Sequence, residues 1–227
     1  MRIKSVIFDF DGVILDSFQD QFLWFSKICG VLDKPFNYSI EEFKEVYREP
    51  VYPDMYSFLG FDWGKEKDVI WKEYNAHKSN SQIGVFEGIS DVIKSLGEYK
   101  LAIASSNTHN AIGKQLKAHC LEDYFRVIVG KEDLPVVNNE PLLKPDPAGI
   151  IIALDRLGCC PYDAVYVGDQ TSDIVAAKRV CEVRGSAVQS IAVTYGYSTK
   201  ERLSACLPDY VADSPKSLLE LLKNFSA

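Results

Sequence analysis

The stretch SVIFDFDGVILDS, Ser5–Ser17, decides how the rest of the chain is read. Val6, Ile7 and Phe8 form an unbroken apolar run that ends on two aspartates, Asp9 and Asp11, with Gly12 directly behind them. An unbroken run of this kind, rather than an alternating one, predicts a strand covered on both faces, as in a parallel sheet. Side chains two apart on an extended chain share a face. Like charges so placed repel unless a cation lies between them or one of them takes a proton. Either remedy makes this strand end a candidate site.

Four further runs have the same character: Lys100–Ala104, Val127–Val129, Ala164–Val167 and Ser190–Val193, which join Ile3–Phe8 as predicted strands. Between them lie stretches of helical period, Ile89–Leu96, Ile112–Ala118 and Pro147–Leu157, and a last helix is predicted over Ser217–Phe225. Strands alternating with amphipathic helices predict a doubly wound, Rossmann-like α/β fold with a parallel sheet. One segment interrupts the alternation. Residues 18–82 are aromatic-rich, with apolar residues at i, i+3 and i+4 and no convincing strand. Ser39-Ile40-Glu41-Glu42 supplies a capping box there. This segment is expected to be a small helical cap domain inserted into a catalytic core made of residues 1–17 and 83–227.

The totals narrow the classes of function. In 227 residues, 47% are hydrophobic and 25% charged, with a formal net charge of −7. That is the balance of a globular protein large enough for a substantial core. No Lys/Arg-rich run supports binding to a nucleic-acid backbone, and no stretch is long enough to span a membrane. The Met-Arg-Ile-Lys start leads straight into a strand without the apolar region of a signal peptide. Six cysteines lack any framework spacing, so reduced thiols and a cytoplasmic protein are expected; the sequence leaves monomer and homodimer both open.

In open α/β sheets, ligands bind at the carboxyl ends of the strands. The first strand is followed by Asp9, Asp11 and Gly12, and the second by Ser105, Ser106 and Asn107. The fourth is followed by Asp169 and, four residues on, Asp173, while Lys144-Pro145 precedes the helix that begins near Pro147. Carboxylates, hydroxyls and one ammonium would thus meet at one edge. Asp9, Asp11 and Asp169 would make an oxygen-rich cage for a hard cation, most simply Mg2+.

DFDGVILDS, ASSN, LKPDP and VGDQTSD, in that order, resemble the four motifs of the haloacid dehalogenase superfamily, and the helical insert falls where that superfamily carries a cap. VTYGYS (Val193–Ser198) and DYVADSPKSLLELL are similar to its phosphoglycolate phosphatase branch. The resemblance implies a Mg2+-dependent phosphatase acting on a small phosphorylated metabolite, a phosphoglycolate-like ester or a sugar phosphate. It implies Asp9 as nucleophile, forming an aspartyl-phosphate, and Asp11 as general acid and then base, with its backbone carbonyl also on the metal. Ser105 would hydrogen-bond the phosphoryl group with help from the Ser106 and Gly12 amides. Lys144 would neutralise charge on nucleophile and phosphate. Asp169 would ligate the metal, and Asp173 would hold a metal-bound water or orient Lys144. Asn107 either touches substrate or turns the chain.

Relatives that dehalogenate or cleave phosphonates lack an acid at the position of Asp11. Sugar-phosphate mutases of the β-phosphoglucomutase type keep both aspartates but carry a histidine where this chain has Gln21, which favours hydrolysis. A catalytically idle binding subunit would have lost the nucleophile, the acid or a metal ligand, and all are present. DLPVVNNEPLL (Asp133–Leu143) is longer than the usual approach to the motif lysine, and Cys181–Gln189 lacks the Ala-Gly pair usual after the last motif. Both departures are expected to reshape the rim. Arg48, in the helical segment, is a candidate either for a substrate carboxylate or for pairing with Glu45 or Glu49. Phe22, Trp24 and Phe25 are read as core, and His77, His109 and His119 as structural or surface residues.

Overall fold

The computed structural model describes residues 3–47 and 54–225. The chain divides into two compact units, Met1–Asp16 with Gly84–Ala227, and Ser17–Ile83. The first is built on a six-stranded parallel sheet. Its strands are β1 (Ser5–Phe8), β2 (Lys100–Ala104), β3 (Phe125–Val129), β6 (Ala164–Gly168), β7 (Gln189–Val193) and β8 (Tyr210–Ala212), in spatial order β3-β2-β1-β6-β7-β8. The order reverses at β1, which pairs with β2 on one side and β6 on the other. Every residue of β1 and β6 is buried, which is why both read as unbroken apolar runs. A two-stranded hairpin, β4 (Val136–Val137) with β5 (Glu140–Pro141), occupies the long approach to Lys144.

The helices of this unit are α5 (Ile89–Ser95), α6 (His109–Ala118), α7 (Ala148–Leu157), α8 (Thr171–Arg184), α9 (Lys200–Ala205) and α10 (Pro215–Asn224). α7 covers β2 and β3, and α8 covers β6 and β7. Ile7, Ala102, Val129, Ile150, Leu154, Tyr166, Ala177 and Val180 share this side of the core. Burying an aliphatic side chain of this size contributes roughly 1.5–3 kcal/mol before the entropic cost of ordering it. α5 and α10 pack on each other, and Tyr99 donates to the Leu222 carbonyl of α10 at 2.6 Å.

β8 and α9 go beyond the elements expected from the residues. β8 has three residues at a sheet edge, one of them buried, too few to carry a pattern. The hairpin turns at Asn138 and Asn139, both with positive φ, a conformation that asparagine tolerates better than most residues.

The second unit is helical among its described residues: α1 (Phe18–Val31), α2 (Ile40–Tyr47), α3 (Asp54–Phe58) and α4 (Trp63–Asn80). Its core is aromatic. Trp24, Phe25, Phe43, Tyr56 and Phe61 are buried together with Ile28 and Ile70, and Phe22 packs against them. The capping box at α2 is formed, with the Ser39 amide donating to Glu42 Oε2 and the Glu42 amide to Ser39 Oγ. His77 and Lys78 both bind the Asp20 carboxylate at 2.9 Å. Arg48 lies outside the described residues.

Candidate active site

The carboxyl ends of β1, β2 and β6 lie side by side at the point where the strand order reverses, which is where a doubly wound sheet opens a crevice. Asp9 continues β1, and its amide donates to the Val167 carbonyl of β6 at 2.8 Å. The following turn is closed by the Gly12 amide on the Leu15 carbonyl, and Gly12 has φ +78°. A Cβ on Gly12 would lie 2.2 Å from Asp169 Oδ2. The turn can therefore press against Asp169 only because residue 12 has no side chain.

Lys144 is the hub. Its Nζ lies 2.8 Å from Asp9 Oδ1, 2.7 Å from Asp173 Oδ1 and 3.2 Å from the Tyr166 hydroxyl. An ammonium has three donors, and here three oxygens receive them. Burial opposes its charge, but the Asp173 and Asp9 carboxylates outweigh that and hold the lysine well above its usual pKa. Asp173 is itself fully buried at the start of α8, where its Oδ2 accepts the amides of Asp169 and Gln170 at 3.1 and 3.0 Å. The Tyr166 hydroxyl lies 3.1 Å from Asp173 Oδ1.

Asp9, Asp169 and Asp173 each place a carboxylate oxygen within 4.8 Å of the others. Burial, and then the charge of Asp173 against the opposing pull of Lys144, raise Asp9 to about 7. The same cause, burial first and then Asp173 and Asp9, pushes Asp169 well above the carboxylate range. Asp169 Oδ2 accepts the Tyr197 amide at 2.7 Å, while its Oδ1 is buried with no hydrogen-bond partner. Carboxylate oxygens this close, one of them unsatisfied, form a donor set suited to a hard divalent ion.

The Asp11 side chain stands apart from that cluster: Asn107 Nδ2 donates to its Oδ2. Ser105 and Asn107 are buried at the end of β2 and Ser106 is exposed, with the Asn107 amide on Ser105 Oγ at 3.2 Å. The lengthened Asp133–Leu143 stretch contributes Leu134, Leu142 and Leu143 to a recess shared with Ser105, Ser106 and Lys144. Sequence reasoning missed Tyr166 and the Tyr197 amide. The signal for the first was a tyrosine inside a wholly buried strand, since a buried phenol needs a polar partner.

The family model for haloacid dehalogenase-like hydrolases matches residues 6–184. Pyrophosphatase PpaX of Listeria welshimeri is 26% identical over 98% of both chains. A predicted phosphatase from Clostridium acetobutylicum has a TM-score of 0.82 at 21% identity, covering 99% of this chain and all of that one. A haloacid dehalogenase-like hydrolase of Streptococcus pneumoniae has a TM-score of 0.71 at 22% identity, covering 96% of this chain and 98% of its own.

Proposed function

The chain belongs to the haloacid dehalogenase-like hydrolases, and we propose that within that family it is a Mg2+-dependent phosphatase of small phosphorylated metabolites that works through an aspartyl-phosphate on Asp9. The observation that carries this reading is a charge imbalance. Asp9, Asp169 and Asp173 are buried carboxylates around the one part-buried ammonium of Lys144, so when all three are ionised three negative charges face one positive and two are left over. Buried charge without compensation is costly. A divalent cation removes the deficit, and Asp9, Asp169 and the Asp11 backbone carbonyl would hold it, with Asp173 beside them. When bound, such an ion supplies positive charge that lets an anionic carboxylate approach an anionic phosphate.

The chain's own residues then divide the work. An Asp9 oxygen attacks phosphorus, and the bond from phosphorus to the leaving oxygen breaks. Asp11 gives its proton to that oxygen, then takes one from the water that attacks the aspartyl-phosphate, releasing phosphate and restoring Asp9. Asn107 holds the Asp11 carboxyl group for both transfers. Lys144 keeps Asp9 in line and offsets charge on the phosphoryl oxygens, the electrostatic contribution that dominates this chemistry. Ser105 and the Ser106 amide receive those oxygens, whereas the Gly12 amide, expected to help, is already donated to the Leu15 carbonyl. The helical unit serves as the cap that restricts substrates to small molecules, and the protein works in the cytoplasm.

Pyrophosphate leads the candidate substrates because the Listeria relative carries that name at 26% identity, with phosphoglycolate and sugar phosphates behind it. The test is phosphate release from these compounds with Mg2+ and with EDTA. Release that requires Mg2+ supports the proposal, and the ranking names the substrate. No release from any of them, by folded protein that binds Mg2+, overturns it.

A further inference from the structure

The segment Thr194–Ser198 follows β7 and has no role in the chemistry described above, yet it contacts Asp169 and the turn after β1. The Tyr197 amide donates to Asp169 Oδ2 at 2.7 Å. A Cβ on Gly196 would lie 2.4 Å from Asp169 Cβ and 2.4 Å from the Gly12 carbonyl oxygen. Those neighbours are a side-chain root and a backbone atom, not the tip of a flexible chain, so neither can turn aside. One residue earlier, the Tyr195 hydroxyl donates to the Val13 carbonyl at 3.2 Å, and its ring packs edge-on against Phe86 with centroids 4.9 Å apart. Three pieces of chain are thereby in direct contact: the turn after β1, the end of β6 and the loop after β7.

The consequence lies in how the two oxygens of Asp169 are used. Oδ2 is occupied by the Tyr197 amide and pressed by Gly12, whereas Oδ1 is buried with no partner. We propose that Gly196 and the Tyr197 amide form a positioning clamp that consumes one oxygen of Asp169 and presents the other to the cation, so that this loop sets the cation affinity of the site. The proposal rests on the reading of Asp169 as a cation ligand. Neither clamp residue touches substrate; both act through Asp169. Residues that orient a ligating side chain typically change metal affinity by about 10–100-fold when altered.

The test is the rise in melting temperature with MgCl2 at constant pH, which needs no substrate. Wild type is expected to be stabilised, and Asp169→Asn is expected to lose the response. Gly196→Ala should need 10–100-fold more Mg2+ for the half-maximal shift. Gly97→Ala, whose added Cβ meets nothing, should keep the wild-type midpoint. Should Gly196→Ala not fold, the decisive variant replaces the Tyr197 backbone N–H with an ester oxygen, introduced as the hydroxy-acid analogue of tyrosine. That change removes one donor and no bulk, and should raise the midpoint about tenfold. A wild-type midpoint in the ester variant, or in folded Gly196→Ala, overturns the clamp alone. A wild type that shows no Mg2+ response overturns the cation site itself.

Discussion

Tyr166→Phe deletes one oxygen from the network around Lys144, and its effect follows from what remains. The hydroxyl lies 3.2 Å from Lys144 Nζ and 3.1 Å from Asp173 Oδ1. Without it, Lys144 still has Asp9 and Asp173, and Asp173 still has Lys144 and two amides. A hydrogen bond to a charged group contributes about 1.5–3 kcal/mol. Because both ions keep their strongest partners, the loss should fall at the low end, about 1.5–2 kcal/mol. At about 2–4 °C per kcal/mol for a chain of this size, calorimetry should show a melting temperature lower by about 3–8 °C. Turnover should fall no more than about tenfold, since both carboxylates still orient the ammonium. A melting temperature within about 1 °C of wild type would refute the network, because the hydroxyl would then do nothing for the ions it touches. A loss of turnover above about 100-fold with normal folding would refute it differently, by showing that Tyr166 reaches the reacting group.

Lys144→Ala removes the charge itself and should lower kcat by at least about 100–1,000-fold, the cost of deleting a principal electrostatic group; steady-state kinetics on the best substrate will show it. Asn107→Ala should slow esters with poor leaving groups, such as alkyl phosphates, at least about tenfold more than p-nitrophenyl phosphate, because only the former need a well-placed general acid; equal losses on both would contradict its role toward Asp11. Metal-free stability should depend on pH. With Asp9 raised to about 7 and Asp169 raised well above its usual range, the folded chain binds more protons than the unfolded chain from about pH 4 upward. Stability in EDTA should therefore decline between about pH 5 and 8, and the gain on adding Mg2+ should be larger at pH 8 than at pH 5. Calorimetry of wild type beside Asp9→Asn checks this, the variant losing part of the slope.

Much of the architecture was legible because it depends on local pattern. Buried parallel strands must be apolar throughout, so β1, β2 and β6 announced themselves, and the aromatic helical period from residue 18 marked the second unit. The charged groups of the site were legible because carboxylates and a lysine at strand ends have few structural reasons to converge. What escaped was set by tertiary contact. β8 is too short for its residues to declare a strand. Tyr166 reads as one more core residue until its hydroxyl is found between Lys144 and Asp173. The Tyr197 contribution comes from a backbone amide, a group that every residue except proline carries, and no side-chain pattern can signal it. Asn107 was open between substrate and turn, and only its contact with Asp11 points to a role.

The central claim is that Asp9 receives the phosphoryl group, and beryllofluoride tests it without knowledge of the substrate. With Mg2+ present, BeF3− coordinates a nucleophilic carboxylate as a mimic of aspartyl-phosphate. Wild type should show bound-fluoride signals by 19F NMR that vanish with EDTA and are absent in folded Asp9→Asn. Bound signals that persist in Asp9→Asn would place the nucleophile elsewhere and contradict the mechanism.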